Sequence, residues 1–170
     1  LYLLRTSGTT GGAKFVAGSA KATLHRLKWQ WDRFPWRDDD AMLLRTPATF
    51  VDSVAEVLGA ALAGAPGACC GGDLGDLVQA AAATKATRAV VTPSILAVVL
   101  RSLDAAGERL ETRLPALRFW TVSGEATRAT LVDDFARHAP GATLVNVWGS
   151  TETAADACFH VLLGAGAAPR

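Results

Sequence analysis

The chain alternates short apolar runs with helix-length amphipathic segments, and few folds accept that order. Residues 1–5, 41–45, 88–91, 117–122, 143–147 and 157–162 read as strands. Residues 20–31, 51–62, 74–83, 94–105 and 128–138 read as helices, and the loop over 64–72 surrounds one more short strand. Strands separated by helices of roughly 10–15 residues predict an α/β fold, a mostly parallel sheet flanked by helices. Helical spacing makes Leu24, Leu27 and Trp31 the expected buried face of the first helix, and Val54, Val57, Leu58 and Leu62 that of the second. Asp38, Asp39 and Asp40 read as a solvated turn. Ligands of such sheets gather beyond the carboxyl ends of the strands. The loops after Arg5, Arg45, Val91, Val122 and Val147 are therefore the places to look.

Composition removes several function classes. Half of the 170 residues are hydrophobic, which excludes charge-driven disorder. A net charge of +1 argues against nucleic acid, because phosphate neutralisation needs a basic excess. No run approaches the roughly 18 apolar residues of a membrane span. Three cysteines, two of them the adjacent Cys69 and Cys70, favour a reduced, cytoplasmic setting over a disulfide framework. His25, His138 and His160 are too scattered to give a metal site at ligand spacing. Trp29, Trp31, Phe34 and Trp36 read as a core-and-rim cluster rather than a base-stacking platform. A Gly-x-Ser-x-Gly nucleophile elbow is absent, which removes the serine hydrolase reading.

Two strand-ending loops carry the chemistry. Thr6, Ser7, Gly8, Thr9, Thr10, Gly11, Gly12, Ala13 and Lys14 combine four hydroxyls, three glycines and a lysine. Glycines let backbone N–H groups converge on an anion, hydroxyls add donors and the lysine adds charge, so a phosphate fits. The Walker pattern fails at Ala13 and Phe15, and composition alone fits a Gly/Thr turn equally well. The second loop, Asn146, Val147, Trp148, Gly149, Ser150, Thr151 and Glu152, offers a π face for a base, hydroxyls for a phosphate and a carboxylate for Mg²⁺. Read by itself it is an ordinary strand-ending turn.

Together the two loops, about 140 residues apart, resemble the paired motifs of the adenylate-forming (AMP-dependent synthetase/ligase) superfamily. Thr6 to Gly11 with Lys14 is similar to its phosphate-binding segment, with Ala13 and Phe15 in place of a proline and a glycine. Asn146 to Glu152 is similar to Asn-x-Tyr-Gly-Pro-Thr-Glu, with Trp148 for tyrosine and Ser150 for proline. Ser123, Gly124 and Glu125 resemble the Gly-Gly-Glu segment whose backbone borders adenine. The resemblance implies Mg·ATP-dependent activation of a carboxylate as an acyl-adenylate. It assigns phosphate binding to the first loop and Lys14, adenine contact to Ser123–Glu125 and to Asn146, Trp148 and Gly149. Thr151 falls to the AMP phosphate and Glu152 to magnesium, so Lys14, Thr151 and Glu152 form the expected catalytic set.

Substrate choice is expected at Phe50, Val51 and Asp52, with Asp156 as a rival partner for a substrate ammonium. Amino-acid-activating members read Phe-Asp-x-Ser there; here Val51 holds the aspartate position and Asp52 stands one residue later. A displaced carboxylate suits an ammonium moved off the α-carbon, as in β-alanine. One residue also turns a helical side chain by about 100°, so Asp52 reads equally as part of a helix-initiating Asp-Ser pair. His25 to Trp31, with Thr49 to Ser53, resembles the β-alanine-activating, peptide-synthetase-like subgroup. The alternatives are an acyl- or aryl-CoA ligase, with Asp52 turned to solvent, and a non-catalytic nucleotide-binding remnant. The acyl acceptor is expected to be phosphopantetheine on a carrier domain, or CoA. Starting at Leu1 and closing on a Gly/Ala-rich tail, residues 1–170 read as a partial AMP-binding domain. It would lack N-terminal strands, the ribose-binding segment and the C-terminal lid, leaving the isolated chain inactive and poorly soluble.

Overall fold

A computed structural model describes residues 1–6 and 12–164. Strands β1 (Tyr2–Thr6) and β2 (Lys14–Gly18) form an antiparallel hairpin that makes its own two-stranded sheet. Helix α1 (Ala20–Arg33) follows, then β3 (Met42–Leu44), α2 (Asp52–Leu62), β4 (Gly67–Cys69), α3 (Leu74–Thr84) and β5 (Arg88–Val91). The chain continues through α4 (Pro93–Ala105), α5 (Leu110–Arg113), β6 (Phe119–Val122), α6 (Ala129–His138), β7 (Thr143–Ser150) and β8 (Ala155–Leu163). The main sheet runs β4-β3-β5-β6-β7-β8, parallel throughout except for the antiparallel β7–β8 edge.

Period-two alternation divides the residues of the central strands between two layers. Trp120 and Val122 of β6 and Leu144 of β7 enter the larger core with Leu77, Leu96, Leu100 and Phe135 of α3, α4 and α6. On the opposite face Val145, Val147, Val161 and Phe34 form a smaller cluster, with Trp29 and Phe119 packed against it. Phe34 is the hub of the aromatic group expected from sequence, 4.9 Å from Phe119 and 6.4 Å from Trp29 between ring centroids.

Helix starts follow local chemistry. Ser19 accepts from Ala22 N, Asp73 from Asp76 N and Thr92 from Ile95 N, while Pro93 occupies the first turn of α4. Four expectations are corrected. Lys14, read as the end of the first loop, instead begins a strand, because residues 14–18 pair with β1 across the hairpin. Trp148, Gly149 and Ser150 belong to β7, since β8 supplies an antiparallel partner; the turn is confined to Thr151–Thr153. Leu24 is exposed while Thr23, Arg26 and Leu27 are buried, and on α2 Val57 and Leu62 are exposed while Ser53, Glu56 and Ala60 are buried. The cause is close approach of α1 and α2: a Cβ on Gly59 would sit 3.4 Å from Leu27 Cδ2, so small residues face inward. Lastly, Asp38 and Asp39 are solvated but Asp40 is buried. It accepts from Thr87 Oγ1, Arg88 Nε, Arg118 Nη2 and Arg37 N.

Candidate functional site

The hairpin brings the two motif regions together. Thr6 ends β1 and Lys14 begins β2, while Ser7, Gly8, Thr9, Thr10 and Gly11 lie outside the described residues. Tyr2 of β1 places its hydroxyl 3.5 Å from the Thr151 carbonyl, which seats the hairpin against the 3₁₀ turn Thr151–Thr153. That turn is closed by a capping box: Ser150 N donates to Thr153 Oγ1 at 3.0 Å, and the Ser150 side chain accepts from the Thr153 backbone N–H. The chain then reverses through Ala154 and Ala155 at φ 60° and 78°, a left-handed pair that side chains disfavour.

Glu152 stands exposed on this turn. Its own backbone amide, the Ser150 hydroxyl and the Lys14 ammonium hold its carboxyl below the usual carboxylate range. An ionised, solvent-facing carboxylate beside a lysine fits a magnesium–phosphate group. Glu152 would take the metal and Lys14 a phosphate oxygen. Trp148 is 67% exposed, so its ring has a face free for stacking. Asn146, opposite Val122 in the register, accepts from Thr127 Oγ1 at 3.2 Å. Gly124 turns with φ 84°, and the Glu125 carboxylate accepts from Ser94 N and Ser94 Oγ, anchoring the start of α4. Glu125 thus has a side-chain task besides the backbone contact expected of it.

Of the substrate-side residues, Phe50 is exposed and Val51 caps α2 half-buried, whereas Asp52 turns inward. Asp52 lines a narrow cavity of about 20 Å³ with Arg26, Ala55, Glu56, Thr121 and Val147. Burial first, then the negative charge of Asp156, pushes its carboxyl up; Arg26 and the Ser123 side chain pull it down. Asp52 opens α2, as the helix-initiating reading expects, and it also faces Ser123, Arg26 and Asp156.

Two residues that motif spacing did not single out complete the arrangement. Arg26 of α1 forms a buried ion pair with Asp156 at the start of β8. Glu56, one turn after Asp52, is buried and accepts from Arg45 N at 2.9 Å, Thr46 N at 3.0 Å and Thr46 Oγ1. It ties α2 to the carboxyl end of β3 and so fixes Asp52. The available signal is a charged residue on an inward helical position, four residues beyond Asp52.

A raised acid costs folded stability as pH rises. Below its ordinary value of 3.8 Asp52 is protonated whether the chain is folded or not, and no penalty applies. Above it the unfolded chain releases the proton first, and stability falls until pH passes the raised folded value. Asp52→Asn is expected to raise the melting temperature at pH 7 and to leave it unchanged near about pH 3.5. Thermal melts across pH check this; an equal shift at both pH values would contradict it.

Comparison with known proteins finds both a family and individual relatives. The profile of the family described as AMP-binding enzyme matches residues 1–169. The chain is 36% identical over 168 residues to vanchrobactin synthetase VabF of Vibrio anguillarum, covering 96% of this chain and 6% of that protein. It is 33% identical over 166 residues to the β-alanyl-bioamine nonribosomal peptide synthetase ebony of Drosophila melanogaster, covering 92% and 19%. The adenylation domain AlmE of Vibrio cholerae, solved with glycyl-adenosine-5′-phosphate, superposes with a TM-score of 0.83 at 22% identity, covering 97% and 31%. The chain thus spans well under a third of the length of both curated relatives. Among the described residues no helix is long and apolar enough to cross a membrane.

Proposed function

The chain belongs to the AMP-binding enzyme family of AMP-forming ligases, alongside peptide-synthetase adenylation domains, and from that footing we propose that it activates a short, amine-bearing carboxylate, β-alanine being the best fit. The observation that carries this reading is the inward placement of Asp52, whose carboxyl faces Ser123, Arg26 and Asp156 and lines a narrow cavity. An uncharged acyl chain has no use for such a group, and burial without a cationic guest costs stability. The acyl- or aryl-CoA ligase alternative expects Asp52 in solvent, and its half-buried position counts against it.

In this reading ATP binds along the hairpin and the end of β7. A carboxylate oxygen of the substrate attacks the α-phosphorus, the bond to the bridging oxygen breaks, and pyrophosphate leaves. Glu152 would hold magnesium, which would supply neutralisation of phosphate charge. Lys14 and the loop from Thr6 to Gly11 hold the phosphates, Thr151 contacts the α-phosphate, and Trp148, Asn146, Gly149 and the Ser123–Gly124–Glu125 segment frame the adenine. The step needs alignment and charge neutralisation rather than a general base. The activated acyl group would pass to phosphopantetheine on a carrier domain, with CoA as the other acceptor.

Amino-acid-dependent pyrophosphate exchange in the complete protein tests the proposal. β-Alanine is expected to exceed α-alanine and fatty acids, and Asp52→Asn to remove most of that preference. Equal exchange with uncharged acids would sink the amine-bearing substrate.

A further inference from the structure

Arg26 and Asp156 are 130 residues apart in sequence and meet where α1 crosses the start of β8. Their side chains are 8% and 3% exposed. The pairing is lopsided. Arg26 Nε donates to Asp156 Oδ2 at 2.7 Å, and Nη2 donates to the same oxygen. Among the described residues, Oδ1 is buried with no hydrogen-bond partner. A pair that served the fold alone would be satisfied by the fork-to-fork arrangement, in which each oxygen receives one N–H. An unmet buried acceptor instead costs about 1–3 kcal/mol, more when charged.

The vacancy has a context. Asp52 feels the charges of both Arg26 and Asp156, so the three groups share one electrostatic environment. With Glu56 and Arg88, which line the same cavity, two guanidinium groups face three carboxyl groups, a single negative charge in excess when all are ionised. Arg26 lines the narrow cavity beside Asp52, and also an open cleft of about 490 Å³ to which Asp156, His25, Trp29 and Phe159 contribute. The excess charge and the open acceptor both call for one compact cation with several N–H donors, which an ammonium supplies.

We propose that Arg26 is a positioning residue that binds Asp156 through Oδ2 alone, keeping Oδ1 open to the substrate ammonium beside Asp52. This rests on the amine-bearing substrate proposed above. Arg26 acts through Asp156 and does not touch the reacting atoms. Its length and planar fork set the angle of the carboxylate, so lysine, a point charge on a flexible stem, replaces the charge but not the orientation.

The test is a steady-state comparison of complete wild-type protein, Arg26→Gln, Arg26→Lys, Asp156→Asn and the Arg26→Gln/Asp156→Asn double variant. Substrates are β-alanine and propionate. Arg26→Gln is expected to raise KM for β-alanine about tenfold or more, with kcat and KM for ATP little changed. Arg26→Lys should recover part of that loss, and the double variant should be no worse than Asp156→Asn, since both changes remove one interaction. A merely structural role predicts instead that KM for ATP rises equally and kcat falls, and effects that multiply would mean that Arg26 does not act through Asp156; either result overturns the proposal. If Arg26→Gln fails to fold, Arg26→Lys decides: an unchanged KM for β-alanine overturns it. Wild-type protein that uses propionate as well as β-alanine would refute the substrate reading itself, whereas a wild-type preference for β-alanine that survives Arg26→Gln refutes only the role of Arg26.

Discussion

Gly149→Ala is expected to cost at least about 3 kcal/mol of stability and to reduce adenylation by two orders of magnitude or more. A Cβ at this position would lie 1.4 Å from the Ala155 carbonyl oxygen, 2.4 Å from the Ala155 carbonyl carbon and 2.9 Å from Ala157 N. All three atoms are backbone, so no side chain can swing aside. The position sits at an irregularity in the β7–β8 ladder between Trp148 and Gly149, opposite Asp156, and the left-handed Ala154 and Ala155 restrict the return strand. Relief must therefore come from parting the two strands at their tip. That motion displaces Trp148 and the Thr151–Thr153 turn on one side and Asp156 on the other. Thermal melts and substrate-dependent pyrophosphate exchange measure the two losses. Gly141→Ala is the control, because nothing lies within 4 Å of its added Cβ and it should leave both readings unchanged.

Asp40→Asn is expected to destabilise the fold by about 3–5 kcal/mol, the range for breaking a buried ion pair from one side. Arg88 would then keep a buried guanidinium with no counter-charge. It is held between the Trp36 and Phe119 rings, at 4.4 and 4.9 Å, and donates to the carbonyls of Phe34 and Pro35. Burial alone would push the Asp40 carboxyl up. The Thr87 hydroxyl, the Arg37 amide and the charge of Arg88 outweigh it, and the net direction is downward. For a lowered acid the sign reverses relative to Asp52: the contribution is present above its ordinary value of 3.8 and is lost as pH falls through the folded value. Urea titrations at pH 7 and near about pH 3 check both parts. Wild-type protein should lose stability between them, and Asp40→Asn should lose less. The effect reaches the site because Arg88 ties the end of α1 to β5, and α1 carries Arg26.

Alternation of strands and helices was legible because each segment repeats its own period over several residues. Two kinds of information were not. The hairpin partner Lys14–Gly18 is short and follows directly on a glycine-rich loop, so nothing local separates strand from loop; only its pairing with Tyr2–Thr6 does. Helix faces were legible only in part, with Leu27 buried as expected, for a different reason. On α1 and α2 the inward positions are filled by small or charged residues, Thr23, Arg26, Ser53, Glu56 and Ala60, while Leu24, Val57 and Leu62 look outward. Apolar spacing cannot register a face whose burial is set by close helix approach and by hydrogen bonds. At the site, the candidate residues were readable because each motif is contiguous. Arg26 lies inside a stretch that resembles the β-alanine-activating subgroup, yet its partner is fixed only by the three-dimensional crossing of α1 and β8.

The same crossing bears on protein engineering. Exchanging the segment from β7 to β8 between related enzymes moves Trp148, the Thr151–Thr153 turn and Asp156 as one cassette, while Arg26 and Asp52 stay with the recipient. A donor cassette without an acid at position 156 would strand the guanidinium of Arg26 in a buried place, so such a cassette should be tolerated only when α1 travels with β7 and β8.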